Sequence, residues 1–149
     1  MRRLPLLGHR NWIVIADAAY PAQCAPGVTT MLVDGNHLEV LQQVLSMIAA
    51  SGHLKPIIHS DSELDFVSEQ DAPGVSAHRA KLTELPRWAN VLTTPHEEII
   101  GLIDRAAARF EVLVIKTSQA IPYTSVFLEL DCAYWSPSAE ARMRATMNR

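Results

Sequence analysis

Two titratable side chains flank a short apolar segment near the beginning of the chain. In the stretch LGHRNWIVIADAAYP, residues 7–21, the run IVIA lies between His9 and Asp17. An imidazole can give and take a proton near neutral pH, and a carboxylate can bind hydroxyl groups. The stretch therefore offers one proton-transfer group and one binding group, at the two ends of a segment that is typical of a buried strand.

The strand itself keeps these two groups apart. An extended run over residues 12–16 is roughly 15 Å long at ~3.3 Å per residue. His9 and Asp17 can share one small ligand only if residues 8–11 turn back over the sheet, or if two subunits each supply part of the pocket. Gly8 gives the backbone freedom for such a turn. For Asp17 the alternative is a structural one, in which its side chain caps the turn through AAYP.

A second candidate lies in the stretch TPHE, residues 94–97. Thr94 at the N-cap, Pro95 at the first helical position and Glu97 at the third predict a capping box that opens a helix over 95–109. His96 then lies in the first turn, where the helix dipole disfavours a positive imidazolium. We predict a neutral His96 that accepts or donates hydrogen bonds at pH 7. The alternative is a surface histidine in a well-capped helix.

A third candidate is Tyr123, which follows Pro122 in the segment IPYTS. This segment leads into the last apolar strand, and the proline restricts the turn on which the tyrosine lies. The phenol can hydrogen-bond a hydroxylated ligand from this place, or its ring can simply pack against the protein. The sequence leaves both alternatives open.

Several classes of function lack their sequence signatures. The chain contains no GxGxxG, GxxxxGK[ST] or GxSxG motif. The remaining histidines form no metal-binding pattern such as HExxH, so we expect neither a metal ion nor another cofactor. Among them, His53 and His78 are expected at exposed positions. The net charge is −3 and no segment concentrates Lys and Arg, which argues against a nucleic-acid partner.

The cysteines and the apolar segments bear on the cellular location. Cys24 and Cys132 are widely separated and lack the spacing of metal ligands, so we expect two small, partly buried side chains. The apolar run LPLLG contains Pro5 and is followed by HRN, which is unlike a signal peptide. No segment approaches the ~20 apolar residues of a membrane span. We therefore expect a cytoplasmic protein with no membrane partner.

The elements that position the candidate residues alternate between strand and helix patterns. Strand patterns cover 12–16, 29–33, 56–59, 112–117 and 125–130, and residues 90–94 lead into the helix over 95–109. Further helices are predicted over 38–48, ended by Gly52, over 77–85, ended by Pro86, and over 138–147. Residues 61–74 are typical of a polar loop.

This alternation predicts one α/β domain over residues 1–149. We expect a three-layer α/β/α sandwich around a mostly parallel central sheet, since the apolar runs suit strands buried on both faces. No internal repeat or linker interrupts the chain. In open α/β sheets ligands bind where the carboxyl ends of strands meet the loops, and Asp17 follows directly after such a strand.

Three stretches together resemble the D-ribose pyranase / L-fucose mutarotase (RbsD/FucU-like) family. LGHRNWIVIADAAYP is similar to the LGH…IVIADA..P pattern near the start of the family's members. PHEEI resembles the HEE segment of the pyranase branch, and PYTSVFL resembles the PYAN segment before the last strand. The three stretches occur in the family's order and extend over residues 7–128.

The resemblance implies an isomerase that interconverts anomers, or pyranose and furanose ring forms, of a free monosaccharide without a cofactor. It assigns the catalytic role of proton donor to His9 and sugar binding to Asp17, His96 and Tyr123. Ser125 stands where the family has a sugar-site Asn two places after the tyrosine. The resemblance also implies a ring-shaped homo-oligomer with sites at subunit interfaces.

The chain departs from the family pattern at several places. Ser118 and Gln119 stand where Gly-Glu is usual, the segment VDGNHLEVLQQVL resembles the fucose branch, and PHEE resembles the ribose branch. The sugar therefore stays open between ribose-like and fucose-like. A C-terminal extension begins at about residue 131, in which Tyr134 and Trp135 either stack on a sugar or pack at a subunit contact. A monosaccharide-binding protein without turnover is the alternative function, and a hydrolase lacks a nucleophile or ligand set.

Overall fold

Strands with apolar side chains on both faces form the centre of the protein. The computed structural model describes residues 3–85 and 90–147. The strands are β1 (Trp12–Ala16), β2 (Val28–Leu32), β3 (Leu54–Asp61), β4 (Asn90–Thr94), β5 (Val112–Lys116) and β6 (Val126–Cys132). The helices are α1 (His37–Ser51), α2 (Val75–Leu82), α3 (His96–Ala107) and α4 (Pro137–Met147), with short 3-10 helices at Leu4–Leu6 and Ser62–Phe66.

The six strands form one sheet in the order β2-β5-β1-β6-β3-β4. Neighbouring strands are parallel except at β6, which is antiparallel to both β1 and β3. Five strands therefore run in one direction, and the prediction of a mostly parallel sheet is confirmed. Because β6 runs against its neighbours, the residues before it lie beside the carboxyl ends of β1 and β3.

Helices cover both faces of this sheet. Along β1, Ile13 and Ile15 belong to a buried cluster with α1, whereas Trp12, Val14 and Ala16 belong to a second cluster with α3. Successive side chains of a strand point to opposite faces, so a strand between two helical layers must be apolar at every position. All five residues of β1 are buried accordingly. The prediction of a three-layer α/β/α sandwich is confirmed.

The element boundaries differ from the predicted ones mainly around the middle of the chain. β3 is longer than the predicted 56–59, and the predicted loop 61–74 contains the 3-10 helix Ser62–Phe66. Helix α2 is displaced towards the N-terminus by about two residues, and Pro86 lies outside the described residues. Gly52 ends α1 as predicted, in the left-handed conformation that favours glycine.

Three further observations concern helix α4, the cysteines and membrane-spanning segments. Helix α4 contributes no buried residue, so it does not share the hydrophobic core. Cys24 is exposed rather than partly buried, whereas Cys132 is partly buried as predicted. None of the described helices has both the length and the apolar character needed to cross a membrane.

Candidate active site

The carboxyl edge of the sheet brings two aspartates to one place. Val126, the first residue of β6, pairs with Ile15 of β1 on one side and with Ser60 of β3 on the other. Asp17 follows β1 directly, and Asp61 is the last residue of β3. The pairing of the strands therefore places both aspartates beside the residue that precedes β6.

That residue, Ser125, is bound closely to Asp17. The Ser125 hydroxyl donates to Asp17 Oδ2 over 2.8 Å and accepts from the Asp17 backbone N–H over 3.0 Å. Asp17 Oδ1 accepts from the backbone N–H of Ala19 over 2.8 Å. The turn-capping role considered for Asp17 is thus present, and its role in sugar binding stays a prediction. Ser125 is buried, and its predicted role in sugar binding stays a prediction.

The start of α3 differs from the predicted capping box. Thr94 still belongs to β4, the N-cap is Pro95, and no side chain at the N-cap accepts a hydrogen bond. The prediction was wrong because Thr94 pairs with Asp61 in the sheet and the helix begins one residue later. The carboxylate of Glu63 caps the helix from outside, accepting from the His96 backbone N–H at 3.1 and 3.2 Å.

The imidazole of His96 faces a buried carboxylate. Its Nδ1 lies 3.1 Å from Asp61 Oδ1, and the Asp61 side chain has no exposed surface. Burial raises the pKa of Asp61 to about 6, against the opposing effect of His96 and with a smaller contribution from the negative charges of Glu63 and Asp17. The neutral state of His96 stays a prediction, and the structure adds a carboxylate at Nδ1 that the helix-dipole argument did not consider.

Tyr123 completes this side of the site. Its ring meets the His96 ring edge to face, with centroids 5.6 Å apart and an interplanar angle of 82°. Its φ is 59°, a left-handed conformation that costs a non-glycine residue of order 1 kcal/mol and is enriched at functional sites. Tyr123 thus packs on His96 while its side chain stays partly exposed, so packing and ligand binding are compatible here.

Two buried histidines lie behind the site. His37 Nε2 is 3.1 Å from the Ile15 carbonyl oxygen, and the His37 and His78 rings are 5.5 Å apart. The Gln119 side-chain amide donates to His78 Nδ1 over 3.2 Å. Burial lowers the pKa of both histidines, that of His78 to about 4. The prediction of an exposed His78 was wrong because the helix turns this residue inward, together with Val75.

His9 lies at the opposite edge of the sheet. Its side chain is 53% exposed and its Nδ1 is 3.8 Å from Asp131 Oδ1, near the end of β6. The Arg10 backbone N–H donates to the Leu130 carbonyl, which keeps this segment alongside β6. Arg10 is the left-handed residue of this segment, with φ 75°. Within one chain the segment does not turn back towards the carboxyl edge.

A cavity of about 700 Å³ opens beside His9. It lies between the turn before β1, the start of β3 and the C-terminal segment, and the residues around it include His9, His53, Asp131, Tyr134 and Trp135. The Trp135 indole N–H donates to Glu140 of α4 over 2.8 Å, which holds the ring against the helix. The C-terminal segment therefore forms one wall of the space that His9 faces.

Sequence reasoning missed Asp61 and Glu63, because the polar stretch they begin was predicted to be a loop. A signal was present, since Asp61 follows the apolar residues of β3 as Asp17 follows those of β1. The rule that parallel strands end at one edge identifies both aspartates once the length of β3 is known. Nothing local predicts that Glu63 caps a helix 33 residues away.

Comparison with known proteins identifies the family. The model of the RbsD / FucU transport protein family matches residues 1–132. Similar folds include RbsD of Bacillus subtilis complexed with D-ribose (22% identity, TM-score 0.59, 87% of this chain and 88% of that one). They also include fucose mutarotase of Streptococcus pneumoniae in complex with L-fucose (20% identity, TM-score 0.57, 87% and 89%) and FucU of Bifidobacterium longum (15% identity, TM-score 0.55, 87% and 91%).

At these identities the likeness to solved structures concerns the fold. No curated protein matches the sequence. The family model, by contrast, extends over all six strands and over every residue of both edges described above except the C-terminal segment. The chain belongs to the RbsD / FucU transport protein family.

Proposed function

We propose that this protein is a monosaccharide mutarotase or pyranase that interconverts the anomers or ring forms of a free sugar by general acid/base catalysis. The observation that carries the proposal is the separation of two half-sites on one chain. Binding groups gather at the carboxyl edge of the sheet, and an exposed imidazole lies at the other edge. Family membership and relatives that bind D-ribose and L-fucose support a monosaccharide as the substrate.

The proposed reaction consists mainly of proton transfers. One proton is delivered to the ring oxygen and one is removed from the anomeric hydroxyl, the ring opens to the free carbonyl, and rotation before closure gives the other form. A positioned acid and base typically contribute 10²–10⁴-fold to such a step. His9 supplies an accessible imidazole for this purpose. Among residues 3–85 and 90–147, each carboxylate oxygen of Asp17 accepts one hydrogen bond, which leaves lone pairs for sugar hydroxyls.

A second copy of the chain brings the half-sites together in this proposal. The five residues of β1, roughly 15 Å long, lie between His9 and Asp17 within one chain. A head-to-tail contact between copies, repeated around a closed ring, gives each site His9 of one subunit and the carboxyl-edge groups of the next. The carboxyl-edge groups are Asp17, His96, Tyr123 and Ser125. We therefore expect a homo-oligomer, and a monomer at micromolar concentration in a sizing measurement would contradict this.

Saturation-transfer NMR tests the function directly. Only an enzyme exchanges magnetisation between sugar forms faster than buffer does, and D-ribose and L-fucose are the first sugars to examine in a panel of about ten. We expect exchange with at least one sugar and its loss in His9→Ala with binding retained. Lys55→Ala is the matched control, because Lys55 contacts the same Asp131 carboxylate from 3.2 Å. Exchange at the buffer rate with every sugar would contradict the proposal.

One observation favours a second candidate, a sugar-binding protein without turnover. The hydroxyl of Ser125 is buried and satisfied by Asp17, at the position where the family pattern has an Asn that offers more hydrogen-bonding groups. The same NMR experiment separates the candidates. Line broadening of a sugar without exchange between its forms identifies the binding protein.

A further inference from the structure

The strongest feature that the proposed reaction leaves unassigned is the buried carboxylate of Asp61. Its side chain has no exposed surface, and neither oxygen accepts a well-aligned hydrogen bond from any donor in residues 3–85 and 90–147. Burying an unpaired carboxylate is costly. The one basic side chain within ion-pair distance of it in the same part of the chain is His96, at 3.1 Å. The carboxylate is therefore placed to act on the His96 ring.

Three elements fix the orientation of that ring. Asp61 at the end of β3 faces Nδ1, Glu63 of the 3-10 helix holds the His96 backbone N–H, and the Tyr123 ring meets the imidazole edge to face. Nδ1 is buried although the side chain as a whole is 28% exposed. The accessible part of the ring consequently lies away from Asp61, on the side of Nε2. A carboxylate at Nδ1 favours a proton there, which leaves the Nε2 lone pair free in the neutral form.

Both basic and acidic groups lie around Asp61. His96 from α3 is the basic group in contact with it, and Glu63 from the 3-10 helix and Asp17 from the end of β1 are acidic. Arg79 of α2 and Asp65 of the 3-10 helix line the same cavity as Asp61. A proton carried by the His96 ring therefore lies beside a carboxylate, whose Oδ1 is 3.1 Å from Nδ1. Such a place suits a base that must hold a proton for part of a reaction cycle.

We propose that His96 is the second proton-transfer group of the reaction and that Asp61 is its positioning residue. This inference rests on the proposed function, in which His9 of a neighbouring copy is the proton donor and the base is unassigned. In ring opening, His96 Nε2 takes the anomeric hydroxyl proton while His9 gives a proton to the ring oxygen. The bond from C1 to the ring oxygen breaks and the C1 carbonyl forms. Closure reverses both transfers, so the two imidazoles return to their starting protonation states.

The test is the exchange rate of Asp61→Asn, a variant that keeps the shape of the side chain and removes its charge. We expect the rate at saturating sugar to fall about tenfold or more, within the range that a positioned base contributes. The sugar concentration for half-maximal rate should change less than about twofold, because Asp61 does not touch the sugar. His96→Gln should lose at least as much. The matched control is Glu129→Gln, which alters another histidine–carboxylate contact of the sheet, 3.5 Å from His59.

The pH profile separates a positioning role from a structural one. The wild-type rate should fall as the pH drops through about 6, where Asp61 becomes protonated, and this acid limb should move to lower pH in Asp61→Asn. Because burial raises the pKa of Asp61 above its unfolded value, the ionised group opposes folding above pH 6. The variant should therefore unfold at an equal or higher temperature than wild type at pH 7 while it is slower. A purely structural Asp61 predicts a lower unfolding temperature.

The outcomes distinguish this inference from the proposed function. If Asp61→Asn keeps the exchange rate of the wild type and the same fall at low pH, the role of Asp61 is overturned. If exchange is lost in His9→Ala at the same time, the mutarotase proposal stays intact. Absence of exchange in the wild-type protein would overturn both. If Asp61→Asn does not fold, two measurements on the wild-type protein replace it. We expect ¹⁵N NMR to find the proton of the neutral His96 ring on Nδ1. A wild-type exchange rate that does not change from pH 8 to pH 5 would overturn the inference.

Discussion

At the carboxyl edge of the sheet the side chain of Asp61 has no exposed surface and Ser125 makes two hydrogen bonds to Asp17, whereas at the amino edge the side chain of His9 is half exposed and lies 3.8 Å from Asp131. The first edge gathers several polar groups, of which Asp61 and Ser125 are buried. At the second edge the accessible imidazole of His9 lies beside a cavity of about 700 Å³ that His53 also lines.

This difference in burial indicates which half of the proposed site is complete within one chain. Buried titratable groups cost folding free energy unless they are paired, so a cluster of them is retained where it serves a purpose. The buried groups at the carboxyl edge, such as Asp61, lower the folding free energy gained there and hold their neighbours in fixed positions. The amino edge has the exposed His9, which is accessible to the surface of another molecule. Variants at the two edges should therefore behave differently.

The largest effect is expected from Asp17→Asn. At the carboxyl edge we expect loss of both sugar binding and exchange, by about 10²-fold or more, because the carboxylate orients the sugar. His9→Ala should lose exchange to a similar extent and keep binding. NMR titration with the active sugar measures the first quantity and saturation transfer the second. The control is the exposed Asp34→Asn, and retained binding in Asp17→Asn would remove the distinction between the edges.

The next effect concerns stability in acid. Burial lowers the pKa of His78 to about 4, so its contribution to folding is complete above about pH 6.5 and is lost as the pH falls towards 4. The loss is of order 1–3 kcal/mol for a buried group with this shift. In urea unfolding at pH 7 and pH 4.5, His78→Gln should lose less stability on acidification than wild type. Protonation of Asp61 stabilises the folded protein over part of this range and so opposes the effect of His78. If the unfolding free energy changes equally between pH 7 and pH 4.5 in His78→Gln and in wild type, the assignment to His78 is refuted.

A smaller effect is expected from Ser125→Ala. Removal of the hydroxyl leaves the Asp17 backbone N–H and Oδ2 without these hydrogen bonds, which should lower the free energy of unfolding by about 1 kcal/mol and weaken sugar binding through Asp17. Urea unfolding measures the first change. Ser46→Ala, which removes an exposed hydroxyl on α1, serves as control. Equal stability of the two variants would show that Ser125 does not hold Asp17.

The smallest effect on folding is expected at the amino edge. Trp135→Ala should change the free energy of unfolding by less than about 0.5 kcal/mol, because the ring is partly exposed and α4 contributes no buried residue. Trp12→Ala in β1 should cost about 3–5 kcal/mol in the same urea experiment, since this ring is buried in the core. Comparable losses would mean that the C-terminal segment shares the core.

The fold could be predicted from local patterns, and the site could be predicted only in part. The apolar run of β1 and the glycine after α1 indicate their own structures, because a strand between two helical layers and a left-handed helix end each demand particular residues. Asp17 was found by the same logic. Asp61 was missed because β3 extends to it through pairing with Thr94 of β4, a contact between residues distant in sequence. Capping of His96 by Glu63, 33 residues earlier in the chain, is likewise absent from any local pattern.

Mixing two inactive variants tests the central claim, that each site joins His9 of one copy to the carboxyl edge of another. His9→Ala and Asp17→Asn subunits are unfolded, mixed in equal amounts and refolded together, and mixed assembly is verified by mass. In a head-to-tail ring about one interface in four then combines an intact His9 with an intact Asp17, so we expect about a quarter of the wild-type exchange rate. Mixed oligomers that stay as inactive as the separate variants would contradict the account.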